Sequence, residues 1–215
     1  MKSNMASENH FLLHFFASRN PKFVLLKIIP ILVFYCVVIF KSEIAFYKIV
    51  GYFLIGLFSW SFFEYIVHRV AYHKRTKSRG VQWFLDAFHL HHHNNLMDYR
   101  VLNAGVLLIY PLTIIILGIV YLLTSNLVFV SSFGLGMTLY YLLYEYIHYQ
   151  IHKKRHKKGY LNMLQKYHLH HHYKNWNKNF GNTITIWDKV FNTYDVNYKH
   201  LILTDNQVND LILKE

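Results

Sequence analysis

The 215-residue chain is long enough for one domain, and it combines 53% hydrophobic residues with a formal net charge of +12. A soluble domain rarely combines the two. Long apolar runs alternate with basic stretches, which indicates membrane topology rather than nucleic-acid binding, and no nucleic-acid recognition module is visible. The single cysteine, Cys36, excludes an intrachain disulfide framework.

The N-terminal segment, residues 1–22, is polar at first and then amphipathic. Phe11, Leu12, Phe15 and Phe16 can share one face of a short helix that is predicted to start near Ser7. We interpret this segment as an interfacial helix that lies on the membrane surface.

Four apolar runs of about 20 residues, the length that a bilayer requires, predict four membrane-spanning helices. The short connections at 41–43 and 124–126 predict that these helices pair as two hairpins. Pro30 and Pro111 predict kinks rather than breaks, because membrane helices tolerate proline. The alternative interpretation of each run is a buried core helix. The predicted spans are about 23–40, 44–63, 104–123 and 127–147.

Basic residues indicate the orientation of these spans. Of the 23 Lys and Arg residues, 20 lie in the N-terminal segment, in 64–103 or in 148–215. With four spans all three segments lie on one side, which the positive-inside rule makes cytoplasmic. We therefore predict a multi-pass protein with both termini in the cytoplasm and a membrane domain over 23–195. Its cytosolic cap comprises 64–103 and 148–195, and the tail 196–215 has no assigned role.

A five-residue motif, His-Leu-His-His-His, occurs at 89–93 and again at 168–172. It ends a longer repeat, because a pair of histidines precedes each copy and the second of the pair lies 16 residues before the motif. The first, fourth and fifth motif positions share one helix face. Two copies of one ligand set suggest two metals, or one two-metal site. The ten histidines are His68, His73, His89, His92, His93, His148, His152, His168, His171 and His172.

The two histidine pairs differ in spacing. His148 and His152 are four residues apart, so both can point into one site from a regular helix. His68 and His73 are five apart, roughly 140° around an ideal helix. They converge only if the helix ends, bulges or unwinds between them.

Four further side chains are candidates for orienting these ligands. His91 and His170 fall on the opposite helix face from their clusters, so we expect them to support ligands or to be solvated. Glu64 and Glu145 lie about one helical turn before the first histidine of each set. They could accept a hydrogen bond from a ligand imidazole and fix its tautomer. The alternative is an interfacial charge at a helix end.

Ten imidazoles exceed the need of one or two zinc ions, which take four ligands or three plus water. They suit two metals with five or six sites each, which fits iron and its redox chemistry with O₂. Nitrogen ligation at a membrane surface suggests oxidation of a lipid chain whose tail stays in the bilayer. The alternative of another class is a non-catalytic metal-binding or transport protein, although the centres of spans two to four have almost no ionisable residues.

The histidine boxes resemble those of the fatty acid hydroxylase and sterol desaturase superfamily. Residues 60–69 (WSFFEYIVHR) and the run from 167 to 193 resemble its fatty acid 2-hydroxylase branch. The resemblance covers about 55–195. The four boxes are H-x-x-x-x-H at 68–73, H-x-x-H-H at 89–93, H-x-x-x-H at 148–152 and H-x-x-H-H at 168–172.

The resemblance implies an all-α integral membrane protein, with four transmembrane helices and a cytosolic helical cap holding a dimetal centre. The ligands would be the ten histidines named above. The metals would be two iron ions, although zinc can occupy such sites in isolated proteins. The implied reaction inserts one oxygen atom from O₂ into a C–H bond of a fatty acyl chain. Hydroxylation at position two of a free or sphingolipid-bound fatty acid is favoured, and a sterol, carotenoid or alkylglycerol substrate is the alternative.

Nothing in the sequence resembles the cytochrome b5 domain that some members of the superfamily carry. A separate reduced electron-transfer protein, cytochrome b5-like or ferredoxin-like, is therefore implied. The basic run 153–158 could steer an acidic donor of this kind. The alternative role of the run is to anchor the protein at lipid headgroups.

The sequence also departs from the 2-hydroxylase branch. The loop after the first cluster, NNLMDYRVLNAG, lacks a proline and has Asp98 and Arg100 only two residues apart. This loop is expected to roof the substrate, so the departure leaves the acyl specificity open. Asn179 and Asn192 stand where the branch is expected to have glycines, and asparagine tolerates left-handed turns.

Overall fold

Every regular element that the computed structural model describes is a helix, as the sequence predicted. A π-helical turn, the π segment, occupies Val67–Tyr72, and a 3₁₀ turn occupies Val196–His200. The described α-helices are α1 (Lys22–Phe40), α2 (Phe46–Ile66), α3 (Arg79–Leu85), α4 (His91–Asn94), α5 (Val106–Thr124), α6 (Leu127–Lys153), α7 (Gly159–Tyr173) and α8 (Ile186–Val190).

Parts of three predicted regions lie outside the described residues: the interfacial segment, the loop with Asp98 and Arg100, and the tail beyond 202. The predictions made for them stay predictions. The structure describes residues 22–73, 75–85, 89, 91–94 and 106–202.

The four long helices coincide with the four apolar runs. The 27-residue stretch of α2 with the π segment, and the 27-residue α6, are each long and apolar enough to cross a membrane. The apolar stretches of α1 and α5 are shorter. Only 22% of the apolar window of α2 is buried inside the protein, so a buried core helix does not describe it. α1 and α5 continue through Pro30 and Pro111, so these prolines do not break their helices.

α2 and α6 cross in direct backbone contact through two glycines. A Cβ on Gly56 would lie 2.1 Å from the carbonyl oxygen of Phe133, and a Cβ on Gly136 would lie 2.1 Å from that of Phe53. Residues without a side chain allow such an approach between helices. Each glycine lies 12 residues before the first histidine of its repeat, about 18 Å along the helix. The crossing therefore lies well below the histidines and recurs at the same place in both copies of the repeat.

Toward the histidines, aromatic side chains lie between α2 and α6. The rings of Trp60 and Tyr141 meet edge to face, with centroids 5.2 Å apart. Tyr141 also packs against Ile28 of α1 and Ile109 of α5 in a small buried cluster. Four helices thus surround one space between the glycine crossing and the histidines.

The segment after α7 is held by a buried carboxylate. Asp188 accepts hydrogen bonds from the backbone N–H groups of Phe180 and Gly181, at 2.9 and 2.7 Å, and from the hydroxyl of Thr193 at 2.7 Å. These bonds satisfy backbone groups that no helix satisfies. They fix the loop around Phe180, which contacts the histidines described below.

Two asparagines adopt left-handed conformations in this segment. Asn179 and Asn192 have φ angles of 62° and 58°. The side chain of Asn179 also accepts from the backbone N–H of Asp195 at 2.7 Å and donates to its carbonyl at 3.2 Å. The expectation that asparagine serves here in left-handed turns is confirmed.

We expect Gly136→Val to lower the thermal stability of the protein. A branched side chain cannot fit at a backbone contact unless α2 and α6 separate, at a cost on the order of 3 kcal/mol. Thermal unfolding in detergent measures the effect. Gly118→Ala is the control, because nothing lies within 4 Å of a Cβ at Gly118. A Gly136→Val protein that melts like the wild type would contradict the crossing.

Candidate metal centre

The π segment brings His68 and His73 together. A π turn is wider than an α turn because its hydrogen bonds span five residues, so residues five apart approach one face. The ring centroids of the two histidines are 5.2 Å apart. Of the three alternatives, a helix end, a bulge or unwinding, the structure has the bulge, which begins at Val67 and ends at Tyr72, next to His73.

Five histidines form the first group, and their ligand nitrogens all lie within 4.8 Å of one another. The Nε2 atom of His73 lies 2.8 Å from that of His89 and 3.1 Å from that of His171. The Nε2 atom of His89 lies 2.9 Å from that of His93. The first group is His68, His73, His89, His93 and His171.

Four histidines form the second group by the same measure, and His172 adjoins them. The Nε2 atom of His168 lies 2.9 Å from those of both His152 and His172. The ring of His92 lies among theirs, with centroids 4.7 Å from both His152 and His172. We therefore count the second group as His92, His148, His152, His168 and His172.

The two groups do not follow the two copies of the repeat. His92 comes from the first copy but lies in the second group, and His171 comes from the second copy but lies in the first group. Both occupy the fourth position of the five-residue motif. The rings of His93 and His172 stack between the groups with centroids 4.0 Å apart. The ten histidines form one two-part site, and each part needs both copies.

The nitrogen contacts cannot all be hydrogen bonds. An imidazole Nε2 atom presents either a proton or a lone pair in a single direction. Yet the Nε2 atoms of His73, His89 and His168 each have two Nε2 neighbours. Burial keeps the rings neutral, since it lowers the pKa of His73 to about 4 and that of His93 to about 2. Neutral buried nitrogens that face one another in this way are suited to bind a cation.

The closest nitrogen contacts within each group are short. The five Nε2–Nε2 distances lie between 2.8 and 3.1 Å. Nitrogens this close could share one bound cation, because metal–nitrogen bonds are about 2.1 Å long.

Backbone carbonyls orient two of the rings in the first group. The Nδ1–H of His68 donates to the carbonyl of Phe180, and that of His171 donates to the carbonyl of Lys178 at 2.7 Å. A carbonyl can only accept, so both rings carry their proton on Nδ1 and leave Nε2 for a metal. These partners were not predictable from the sequence, because a backbone carbonyl has no side-chain signature.

Glu64 has a different role from either one predicted. Its buried carboxylate accepts from the backbone N–H groups of Asn182 and Thr183 and from the Thr183 hydroxyl, at 2.7 to 2.9 Å. Among the described hydrogen bonds of Glu64, none reaches a ligand histidine. The carboxylate instead holds the loop whose Phe180 carbonyl orients His68, so it acts on the site through the backbone. A side chain that is only 6% exposed is not an interfacial charge either.

The other candidates for orienting ligands are partly described. His170 lies outside both groups. Its Nδ1 atom lies 3.4 Å from the side-chain nitrogen of Asn179, and its Nε2 atom lies 3.9 Å from a carboxylate oxygen of Asp195. It is buried, so the solvated alternative is wrong. Glu145 is also buried and lines the cavity below the histidines. The side chain of His91 lies outside the described part of the chain.

A cavity of about 160 Å³ extends from the histidines between α1, α2, α5 and α6. Apolar side chains form most of its wall, and Tyr35 and Met137 line it on the side of the glycine crossing. Ligand candidates from both groups line the opposite end, namely His68, His89, His92, His148 and His168. A long apolar molecule in this cavity would therefore present one end to both groups.

Comparison with known proteins decides the family. The family model described as fatty acid hydroxylase matches residues 53–193, which include all ten histidines. The chain belongs to the fatty acid hydroxylase family. The resemblance in the histidine boxes is thereby confirmed, as is the 2-hydroxylase branch by the relatives that follow.

Three relatives are similar over much of this chain. The dihydroceramide fatty acyl 2-hydroxylase FAH1 of Arabidopsis thaliana is 33% identical over 150 residues, 68% of this chain and 61% of the relative. The ceramide very long chain fatty acid hydroxylase scs7 of Schizosaccharomyces pombe is 31% identical, covering 71% of this chain and 44% of the relative. The human fatty acid 2-hydroxylase is 31% identical, covering 70% of this chain and 41% of the relative.

A solved structure of full-length scs7p, in which only the hydroxylase domain is visible, has the same fold. It matches with a TM-score of 0.74 and 28% identity, over 86% of this chain and 69% of that chain. The chain spans about half the length of the relatives it matches. The comparison therefore concerns the hydroxylase domain.

The exchange of His92 and His171 between groups predicts the metal content of double variants. His73→Ala with His171→Ala removes two ligands from one group, so about one of two metals should remain. His152→Ala with His171→Ala damages both groups, so the protein should lose nearly all its metal, because removal of ligands weakens each site severely. Elemental analysis of the metal-loaded protein measures this difference.

His200→Ala is the control, because this exposed histidine belongs to neither group. If the groups followed the repeat instead, His152 and His171 would share one metal. Retention of one metal by that double variant would contradict the observed grouping.

Proposed function

We propose that this chain is a membrane-embedded di-iron hydroxylase that uses O₂ to insert one oxygen atom into a C–H bond of a fatty acyl chain. One observation carries the proposal: two groups of buried imidazoles meet at one end of an apolar cavity. Such a site could hold two metals where the end of a lipid chain would lie. Membership of a family of fatty acid hydroxylases supports the same conclusion.

Two iron ions fit the donors that are present, one in each group. Neutral imidazole is a good ligand for iron, zinc and copper. Five imidazoles per group favour iron over zinc, which prefers four tetrahedral ligands. Zinc could still occupy the site in isolated protein. When bound, iron supplies the redox chemistry with O₂ that zinc lacks.

The overall reaction consumes one O₂, two electrons and two protons. One oxygen atom replaces the hydrogen of a C–H bond as a hydroxyl group, and the other leaves as water. The residues of this chain would bind and orient the substrate. Apolar walls hold the acyl chain and exclude water, while the bonds from Glu64 and Asp188 keep the loop behind His68 in place. A fixed substrate position selects one carbon for reaction.

We propose position two of a fatty acid, free or in a sphingolipid amide, as the favoured carbon. The relatives are named for fatty acyl 2-hydroxylation or for action on ceramide. The side-chain oxygen of Asn182 is buried in the cavity lining without a described hydrogen-bond partner, which suits an amide N–H of the substrate. A sterol, carotenoid or alkylglycerol remains the alternative substrate.

We further propose that all four long helices span the membrane, with the metal centre and both termini on the cytoplasmic side. Large apolar side chains cover the outer surface of each helix. Leu26 of α1 is 57% exposed, Phe58 of α2 62% and Ile114 of α5 67%. A bilayer would cover these side chains favourably, and the basic residues on the histidine side support the orientation.

Electrons would come from a separate reduced carrier, cytochrome b5-like or ferredoxin-like. Trp176 is 41% exposed, its ring lies 4.8 Å from that of His93, and its Nε1–H donates to the carbonyl of His172. It therefore connects the surface with both groups. The basic run 153–158 begins directly after His152 and would attract an acidic carrier. Anchoring at lipid headgroups is the alternative role of that run.

The proposal predicts a hydroxylated lipid from purified protein supplied with ferrous iron, O₂ and a reducing system. Mass spectrometry should detect a 2-hydroxy acid or its amide, with one oxygen atom from labelled O₂. His171→Ala should reduce turnover by about 100-fold or more, since even residues that only orient ligands contribute up to about that factor. Membrane insertion of His171→Ala should remain as in the wild type.

His200→Ala is again the matched control. Full metal binding with no O₂ consumption would contradict the proposal and support a non-catalytic metal-binding protein. If the product were a hydroxylated sterol, carotenoid or alkylglycerol, the proposed hydroxylation with O₂ would stand, but the proposed acyl substrate would be wrong.

A further inference from the structure

We propose that Tyr35 and Met137 form the floor of the cavity and limit the length of the acyl chain that the protein accepts. The proposal rests on the proposed function, because it assigns the cavity to the acyl chain. It goes further by naming the residues that set chain-length specificity and the length at which binding stops increasing.

Tyr35 is held at the lower end of the cavity by the backbone of α6. Its side chain is 1% exposed, and a Cβ on Gly134 would lie only 2.8 Å from its ring carbon Cζ. Gly134 thus provides the surface on which the ring rests, one helical turn below Met137. The contacts of Gly56 and Gly136 close the space between α2 and α6 at the same level. The cavity therefore ends where α1 and α6 meet.

The depth of the cavity follows from its lining on α6. Met137 and His148 both line it and are 11 residues apart, which is about 16 Å along the helix. An extended chain advances about 1.2 Å per bond, so roughly 13 bonds fit between the histidines and the floor. With carbon two beside the histidines, the chain would reach the floor near carbon 15, within about one carbon.

The wall along this path is apolar and comes from all four helices. Ile28 of α1, Phe63 of α2 and Leu117 of α5 are examples. Each methylene group buried against such a wall strengthens binding roughly fourfold. A methylene beyond the floor must displace the ring of Tyr35 or bend the chain, so it adds no affinity. Chain length should therefore increase affinity up to the floor and not beyond it.

The test uses a series of saturated fatty acids from about 10 to about 24 carbons, in which each methylene should add roughly fourfold up to the floor. Binding is measured by thermal stabilisation of the metal-loaded protein in nanodiscs, and hydroxylation by mass spectrometry. In the wild type both should reach a maximum near 14 to 16 carbons, about the depth of the cavity. Tyr35→Ala should move the maximum up by roughly four carbons, the depth of the ring. Met137→Trp should move it down by a similar number.

Two variants on the outward faces of the same helices serve as controls. Val33→Ala and Leu139→Trp change side chains that are 54% and 39% exposed and do not line the cavity. They should keep the wild-type maximum. Because Met137→Trp adds volume and Tyr35→Ala removes it, shifts in opposite directions cannot arise from a general loss of stability.

The outcomes separate this inference from the proposed function. Affinity that keeps rising past about 18 carbons in the wild type, well beyond the roughly 15 expected, overturns the floor. An unchanged maximum in both variants, with hydroxylation intact, also overturns it and leaves the proposed function standing. If no acid is hydroxylated but binding still stops increasing and shifts in the variants, the floor is supported and the proposed function fails.

Discussion

The structure depends on ten imidazole rings whose nitrogens face one another in a buried space. Without cations these nitrogens lack enough protons to satisfy each other, and burial opposes protonation. Two cations, as proposed, would give every facing lone pair a partner. Because the rings come from the π segment, α4, α6, α7 and the residues next to them, metal binding and the assembly of these elements would be one equilibrium.

The helices determine where this site lies relative to a lipid. The crossing at Gly56 and Gly136 brings α2 and α6 together about 18 Å below the histidines, and Trp60 and Tyr141 lie between the helices above it. α6 carries His148 and His152, and the π segment that continues α2 carries His68 and ends at His73. The result is a cavity with an apolar wall and a histidine-lined end, so the same helices hold the proposed metal site and the proposed substrate site.

Much of this arrangement was predictable from the sequence, because the histidine spacing and the apolar runs are periodic. The five-residue step from His68 to His73 required the helix to end, bulge or unwind, and the structure has a π turn there. The exchange of His92 and His171 was not predictable, because helical spacing gives the face of a side chain but not its partner across the site. The hydrogen bonds of Glu64 were not predictable for a related reason, because they go to a loop more than a hundred residues away in the chain. The membrane arrangement of all four helices remains a proposal based on length, apolar surface and charge.

X-ray absorption spectroscopy at the iron edge of the reconstituted protein tests the central claim most directly. The account predicts two irons per chain, each with about five imidazole nitrogens at about 2.1 to 2.2 Å. A single iron per chain, or a first shell dominated by oxygen or limited to about three nitrogens, would contradict the claim that both groups are metal sites.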